Sequence, residues 1–84
     1  MSNTNTNTAA RPLSTIAGEI YKTWKKVNFA AKPYLAAMSR LDKVTDTVMF
    51  ESGRSVVVYF LSNASTWRGE DARRIKKELN AMIK

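Results

Sequence analysis

The sequence predicts an all-α protein, a compact bundle of four helices that follows a disordered N-terminal tail. Apolar residues recur at helical spacing in four separate stretches. The one strand-like run, VVVYF at residues 56–60, lies inside a longer pattern of helical period. A strand there would need partners, and the chain has no second β-branched run. The 84 residues are enough for one small domain.

Residues 1–12 are predicted to form a flexible tail, and residues 13–84 a single helical domain. The tail begins MSNTNTNTAA, an Asn/Thr repeat without charged side chains. Such a composition buries too little apolar surface to offset the entropy lost on ordering. Arg11 and Pro12 then mark the boundary of the domain.

The first two helices are predicted over residues 14–28 and 32–42. Ser14 or Thr15 would cap the first helix, and Asn28 would end it with Phe29 as an apolar contact beyond. Pro33 suits the first turn of the second helix, where its missing N–H costs nothing. The apolar face of the first helix consists of Ile16, Ile20, Trp24 and Val27. The second helix would bury Tyr34, Leu35, Ala37, Met38 and Leu41.

The third and fourth helices are predicted over residues 52–64 and 67–83. Ser52 is the expected N-cap of the third helix, which would be the buried central one. Between the second and third helices, one short turn is expected to tuck Val48, Met49 and Phe50 against the core. The fourth helix carries a narrow apolar seam suited to packing on another helix, formed by Ala72, Ile75, Leu79 and Met82.

The composition argues against an enzyme. The chain has neither cysteine nor histidine, so it lacks a thiol nucleophile, the commonest acid–base catalyst and the commonest zinc ligand. No phosphate-binding glycine loop and no calcium-loop spacing of carboxylates is present, so we expect no cofactor and no metal. No apolar run approaches the roughly 20 residues of a membrane span. We therefore expect a cytoplasmic protein without a membrane partner.

The main chemical feature is an excess of positive charge, with 14 basic and 7 acidic residues. Such an excess favours a polyanionic partner, either the backbone of DNA or RNA or an acidic protein. Solvated helix faces are the structural alternative, since Glu70 could pair with Arg74. The candidate phosphate contacts lie on the first and fourth helices and are Lys22, Lys25, Lys26, Arg73, Arg74, Lys76 and Lys77.

Trp67 and Arg68 form a second candidate site, for a protein partner. Tryptophan and arginine are enriched at interface hot spots, so this pair could anchor a partner. Packing back onto the core is the favoured role of Trp67, because a small domain needs its large aromatic side chains there. Neither candidate site predicts an oligomeric state.

Three stretches resemble small proteins of phages that infect actinobacteria, of the mycobacteriophage type. They are AKPYLAAM at residues 31–38, SGRSVVVYFLSNASTWRG at residues 52–69 and ARRIKKEL at residues 72–79. The resemblance extends from about residue 13 to the C-terminus and supplies no catalytic or binding residues. It implies a phage accessory protein that acts inside the host bacterial cell.

The sequence therefore predicts a small basic, non-enzymatic phage protein that binds nucleic acid electrostatically through the first and fourth helices. The alternative is a protein-interaction module that binds and modulates a host bacterial protein, through Trp67 and Arg68 or through the same positive charges on an acidic surface.

Overall fold

Four helices alternate in direction in the computed structural model, which describes residues 10–48 and 50–84. At one end, the N–H of Ser14 donates to the carbonyl of Leu41, and Nε of Arg54 donates to the carbonyl of Ile83. The start of the first helix therefore meets the end of the second, and the start of the third meets the end of the fourth. The helices are α1 (Leu13–Thr23), α2 (Lys32–Met38), α3 (Gly53–Ser62) and α4 (Glu70–Met82).

Each helix packs on two neighbours. α1 contacts α2 and α4, and α3 contacts the same two helices from the other side. This confirms the mainly helical fold expected from the four apolar stripes. The core between the helices is formed by their stripes, including Ile16 and Ile20 of α1, Leu35 and Met38 of α2, Val57 and Phe60 of α3, and Ile75 and Leu79 of α4.

The fold is not purely all-α, because it also contains a short two-stranded ribbon. Strands β1 (Thr47–Val48) and β2 (Glu51–Ser52) pair antiparallel before α3, with Thr47 opposite Ser52. The pairing satisfies backbone groups of a connection that we had expected to contain only a short turn. It also leads into the predicted N-cap, because Ser52 Oγ accepts a hydrogen bond from the N–H of Ser55 at 3.1 Å.

The helices are shorter than predicted at most of their ends, because side chains and tertiary contacts satisfy the terminal backbone groups. α1 ends at Thr23 rather than at residue 28: Thr23 Oγ1 donates to the carbonyl of Glu19, and Trp24 has extended backbone angles. α2 ends at residue 38 rather than 42, α3 spans residues 53–62 rather than 52–64, and α4 spans residues 70–82 rather than 67–83.

The predicted N-cap of α1 is wrong. Pro12 occupies the cap position, and no side chain there accepts a hydrogen bond from the helix. Instead, the N–H groups of Leu13 and Ser14 donate to the carbonyls of Asp42 and Leu41, at 2.9 and 2.8 Å. The backbone that follows α2 therefore does the work of a capping side chain, which helix-local sequence patterns do not reveal.

Two phenylalanines are on the surface instead of in the apolar contacts expected for them, Phe29 beyond the first helix and Phe50 against the core. Phe29 is 86% exposed, and Phe50, in the turn of the ribbon, is fully exposed with φ of 70°. Val48 is half-buried against the core, in agreement with the prediction, and Met49 lies outside the described residues. The predicted tail lies outside them as well up to residue 9, whereas Arg11 forms an ion pair with Glu78 of α4.

Two glycine substitutions should change the stability in opposite directions. Gly53 is buried where the chain enters α3, and a Cβ there would lie 2.7 Å from the carbonyl oxygen of Lys43. Because that neighbour is backbone, Gly53→Ala should lower the free energy of unfolding by about 1–3 kcal/mol. Gly18 lies within α1 with open space around it, so Gly18→Ala should raise that free energy by about 0.5–1 kcal/mol.

Urea unfolding of the two variants beside the unchanged protein measures both effects. Equal or greater stability of the Gly53→Ala variant would show that residues 43–44 do not approach the start of α3 as described.

Candidate functional site

A pair of stacked tryptophans joins two connections at one end of the bundle. The ring centroids of Trp24 and Trp67 lie 5.4 Å apart with an interplanar angle of 10°, and Phe60 packs edge-on against both rings. Beside them, Nδ2 of Asn28 donates to the carbonyl of Asn63 at 3.1 Å. The two connections, with the helix ends that border them, form what we call the tryptophan end, residues 22–32 and 63–73.

The predicted lysines of the first helix lie at the tryptophan end. Lys22 is in the last turn of α1, whereas Lys25 and Lys26 follow the helix in a turn and are not part of it. All three side chains are exposed, and so is Lys32 at the start of α2. The sequence has no acidic residue between Glu19 and Asp42, so this segment is uniformly positive.

The predicted cations of α4 divide into two groups. Arg74 and Lys76 are held by internal contacts, Arg74 by Glu19 and Asp71, and Lys76 by the carbonyl of Trp67, to which its Nζ donates at 2.7 Å. Arg73 and Lys77 are exposed and form no salt bridge within residues 10–48 and 50–84. The expected pairing of Glu70 with Arg74 is not among the salt bridges of the described residues.

Ion pairs join α1, and Arg11 just before it, to α4. Arg11 donates to both carboxylate oxygens of Glu78, at 2.9 and 2.7 Å, and its Nη1 lies 2.9 Å from Glu19. Arg74 donates to the other oxygen of Glu19 and, at 3.1 Å, to Asp71. The hydrogen bond from Arg74, and then that from Arg11, holds the pKa of Glu19 below its ordinary value. The hydrogen bond to Glu78 is the main cause that raises the pKa of Arg11.

This network leaves most of the positive charge unpaired. Of the 14 lysines and arginines, only Arg11 and Arg74 form salt bridges among the described residues, and these two engage three of the 7 acidic side chains. A further carboxylate, that of Asp46, accepts hydrogen bonds from the N–H groups of Asp42 and Lys43. The exposed lysines of the tryptophan end therefore have no intramolecular acidic partner in the described chain, and their charge faces solvent.

A shallow hollow of about 280 Å³ borders the tryptophan end on the α4 side. Arg68, Arg73 and Lys76 line it together with the edge of Trp67. Burial lowers the pKa of the Lys76 ammonium, and the positive charge of Arg68 lowers it further. Three cations around one hollow repel one another, so an anion in the hollow would relieve that repulsion.

Trp67 belongs to the core, one of the two roles that the sequence suggested for it. Its side chain is 3% exposed, and Nζ of Lys76 lies 5.9 Å from its ring centroid. The ring therefore has little surface left for a protein partner. Arg68, the other residue of that candidate site, is exposed.

Two residues of the tryptophan end escaped the sequence analysis. From sequence, Lys32 is only the first residue of the second predicted helix, and Phe29 only an apolar contact beyond the end of the first. The sequence does contain a signal for both residues: Phe29 lies between Lys26 and Lys32 in a segment without carboxylates, a pattern that indicates an anion-binding surface with an aromatic ring. Its exposure could not be read from sequence, because it depends on the early end of α1.

α2, α3 and the ribbon border an open groove of about 500 Å³, whose lining includes none of residues 22–32 or 63–73. The rings of Tyr34 and Tyr59 meet there with centroids 5.4 Å apart, and Glu51 contributes a carboxylate. Within residues 10–48 and 50–84, no three acidic side chains are grouped as a metal site would require. In the same residues, no helix combines the length and apolarity needed to cross a bilayer.

Replacing Glu19 should weaken the protein in a pH-dependent way. Because the pKa of folded Glu19 is lowered, its ion pairs stabilise the fold above the ordinary glutamate pKa, about 4.3, and that contribution is lost as the pH falls through the lowered value. Glu19→Gln should therefore reduce the free energy of unfolding at pH 7, with a difference from the unchanged protein that shrinks in acid.

Urea unfolding measured from pH 7 downwards tests this expectation. Glu51→Gln is the control, since Glu51 forms no salt bridge among the described residues. A Glu19→Gln deficit of the same size at every pH would contradict an ionic role for Glu19.

In comparisons with protein-family models, curated proteins and solved structures, no match to this chain is found. The functional conclusion therefore depends on the arrangement of charge and exposed side chains at the tryptophan end.

Proposed function

We propose that this chain binds nucleic acid electrostatically through the tryptophan end, as a small non-enzymatic phage accessory protein. The observation that carries the proposal is the group of exposed lysines without intramolecular acidic partners in the described chain. Lysines of this kind contact phosphates and release the counterions condensed on a nucleic acid, and that release drives sequence-independent binding.

The geometry supports an extended contact rather than one point of charge. Lys22, Lys25 and Lys26 come from the α1 side of the tryptophan stack, and Arg68 comes from the other connection. Because the two rings are stacked, Lys25 and Arg68, which follow Trp24 and Trp67 in the chain, lie at the same end of the bundle. Arg73 and the hollow beside it extend the positive surface along the first turns of α4.

Fewer side chains of α4 are available for phosphate contacts than the sequence suggested. Arg74 and Lys76 are already engaged by partners within the chain, so we assign them no primary phosphate contact. Glu70 and Asp71 occupy the N-terminal turn of α4, where a recognition helix would approach the bases, and their charge opposes that approach. The proposal is therefore contact with the phosphate backbone, without base reading by α4.

The second candidate is docking on an acidic host protein, and the exposure of Arg68 beside the lysines favours it. The same charges would contact carboxylates instead of phosphates. A phage setting is supported by the sequence resemblance, which extends over the helical domain. Competition by poly-glutamate against a labelled oligonucleotide separates the two candidates: poly-glutamate that displaces the oligonucleotide at equal charge concentration favours the acidic protein.

Removing the lysines should abolish most of the binding. With a fluorescein-labelled duplex of random sequence, anisotropy at roughly 50 and 200 mM salt should show binding that weakens steeply with salt. The variant Lys22→Gln, Lys25→Gln, Lys26→Gln should bind at least about 10-fold more weakly at the lower salt. Its plot of log affinity against log salt should be shallower by about 2–3, since each duplex phosphate contact contributes about 0.9 to the slope.

A variant with the same loss of charge elsewhere is the matched control. Arg40, Lys43 and Lys84 are exposed at the other end of the bundle, near the ribbon and the end of α4. Changing these three to Gln should reduce the affinity much less. An equal loss in both variants would mean that net charge alone attracts the duplex, and absence of binding at the lower salt would refute the proposal.

A further inference from the structure

Phe29 projects from the lysine segment, residues 22–32, on a turn that is held in place. The turn is organised by Asn28, whose side-chain oxygen accepts from the N–H of Ala30 at 3.3 Å and whose backbone carbonyl accepts from Ala31 at 2.9 Å. The amide of the same side chain donates to the carbonyl of Asn63 in the other connection. The backbone on either side of Phe29 is therefore tied to the bundle.

The ring itself is turned away from the core. Phe29 is 86% exposed, whereas Ala31, two residues later, is fully buried and Val27, two residues earlier, packs on the core. An exposed aromatic ring gains nothing from the hydrophobic effect in the isolated protein. The fold thus presents an apolar ring at a defined position without using it for stability.

The surroundings of the ring are positive on both sides along the chain. Lys25 and Lys26 precede Phe29, Lys32 follows it, and all three are exposed. No carboxylate occurs in residues 20–41. An aromatic ring among lysines is the combination with which proteins hold single strands, because the cations contact phosphates while an unpaired base stacks on the ring.

We infer that Phe29 is a stacking platform for an unpaired base, so that the tryptophan end prefers single-stranded over double-stranded nucleic acid. This inference rests on the proposed function and names its substrate class. In a duplex, the bases are already stacked on each other and their faces are inaccessible to a side chain. A single strand exposes those faces, and stacking tolerates any base because every base has a π-face.

A membrane surface fits the same residues less well. Anionic lipids would also attract the lysines, but the exposed apolar part of this turn is only the ring of Phe29 and the methyl group of Ala30. Stable membrane attachment needs a larger apolar contribution, since even one myristoyl chain gives only marginal binding. One ring is enough to stack one base.

The experiment compares a fluorescein-labelled oligo-dT of 12 nucleotides with a labelled duplex, each titrated with protein at roughly 50 mM salt. We expect the unchanged protein to bind oligo-dT more tightly. Phe29→Ala should weaken oligo-dT binding by roughly 10-fold, as expected for loss of one stacked base, and should leave duplex binding within about 2-fold. Phe29→Trp should restore oligo-dT binding, because a larger ring still stacks.

Phe50→Ala is the matched control, since Phe50 is also exposed but lies on the ribbon, away from the lysine segment. It should leave both affinities unchanged. Circular dichroism checks that each variant is folded, which we expect because neither ring is part of the core.

The other outcomes are distinguishable. If Phe29→Ala leaves oligo-dT binding unchanged while the triple lysine variant loses it, the stacking inference is wrong and the proposed function stands. If Phe29→Ala weakens duplex and oligo-dT equally, the ring does not select single strands and the inference is also wrong. Binding of neither oligonucleotide, with Phe29-dependent binding to vesicles rich in phosphatidylserine, would overturn both the inference and the proposed function.

Discussion

The stacked rings of Trp24 and Trp67 are the contact on which the arrangement of this molecule depends. A stacked aromatic pair adds about 0.5–1.5 kcal/mol to the stabilisation that its buried area already provides. The larger consequence is geometric, because each tryptophan belongs to a different connection and Phe60 of α3 packs edge-on against both. The stack thereby holds the connection after α1 against the connection before α4, so that exposed side chains from both lie at one end of the bundle.

The distribution of charge follows from the same packing. Side by side, α1 and α4 bring Glu19 between Arg11 and Arg74, and Glu78 against Arg11. These carboxylates are therefore neutralised by two arginines in the middle of the bundle. The lysines around residues 22–32 keep their charge exposed, with no carboxylate in the same segment. Internal ion pairing and a cationic end are thus two results of one helix arrangement.

Sequence patterns predicted the helices well because each apolar stripe is a local property. The stripes of α1, α3 and α4, the N-cap at Ser52 and the core position of Trp24 can all be read from spacing and side-chain type. The helix boundaries could not be read from the sequence, because they depend on hydrogen-bond partners that are distant in the chain. The first N–H groups of α1 donate to carbonyls at residues 41 and 42, and the turn after α1 is tied to Asn63.

The candidate site was predictable in part for the same reason. An excess of lysine and arginine is visible in composition, and the exposed lysines of the first stretch were identified correctly as exposed. The internal contacts of Arg74 and Lys76 were not predicted. Their partners, Glu19 and the carbonyl of Trp67, are 55 and 9 residues away in the chain. The exposure of Phe29 was not predicted, because α1 was expected to continue to residue 28 and Phe29 to make an apolar contact just beyond its end.

The two connections joined by the tryptophans should act as one binding surface. Chemical-shift perturbation in ¹⁵N-labelled protein, titrated with oligo-dT at low salt, tests this expectation most directly. Backbone amides of residues 22–32 and 63–73 should shift together and saturate with a single midpoint. Shifts confined to the groove bordered by Tyr34 and Tyr59, or to one of the two connections alone, would contradict it.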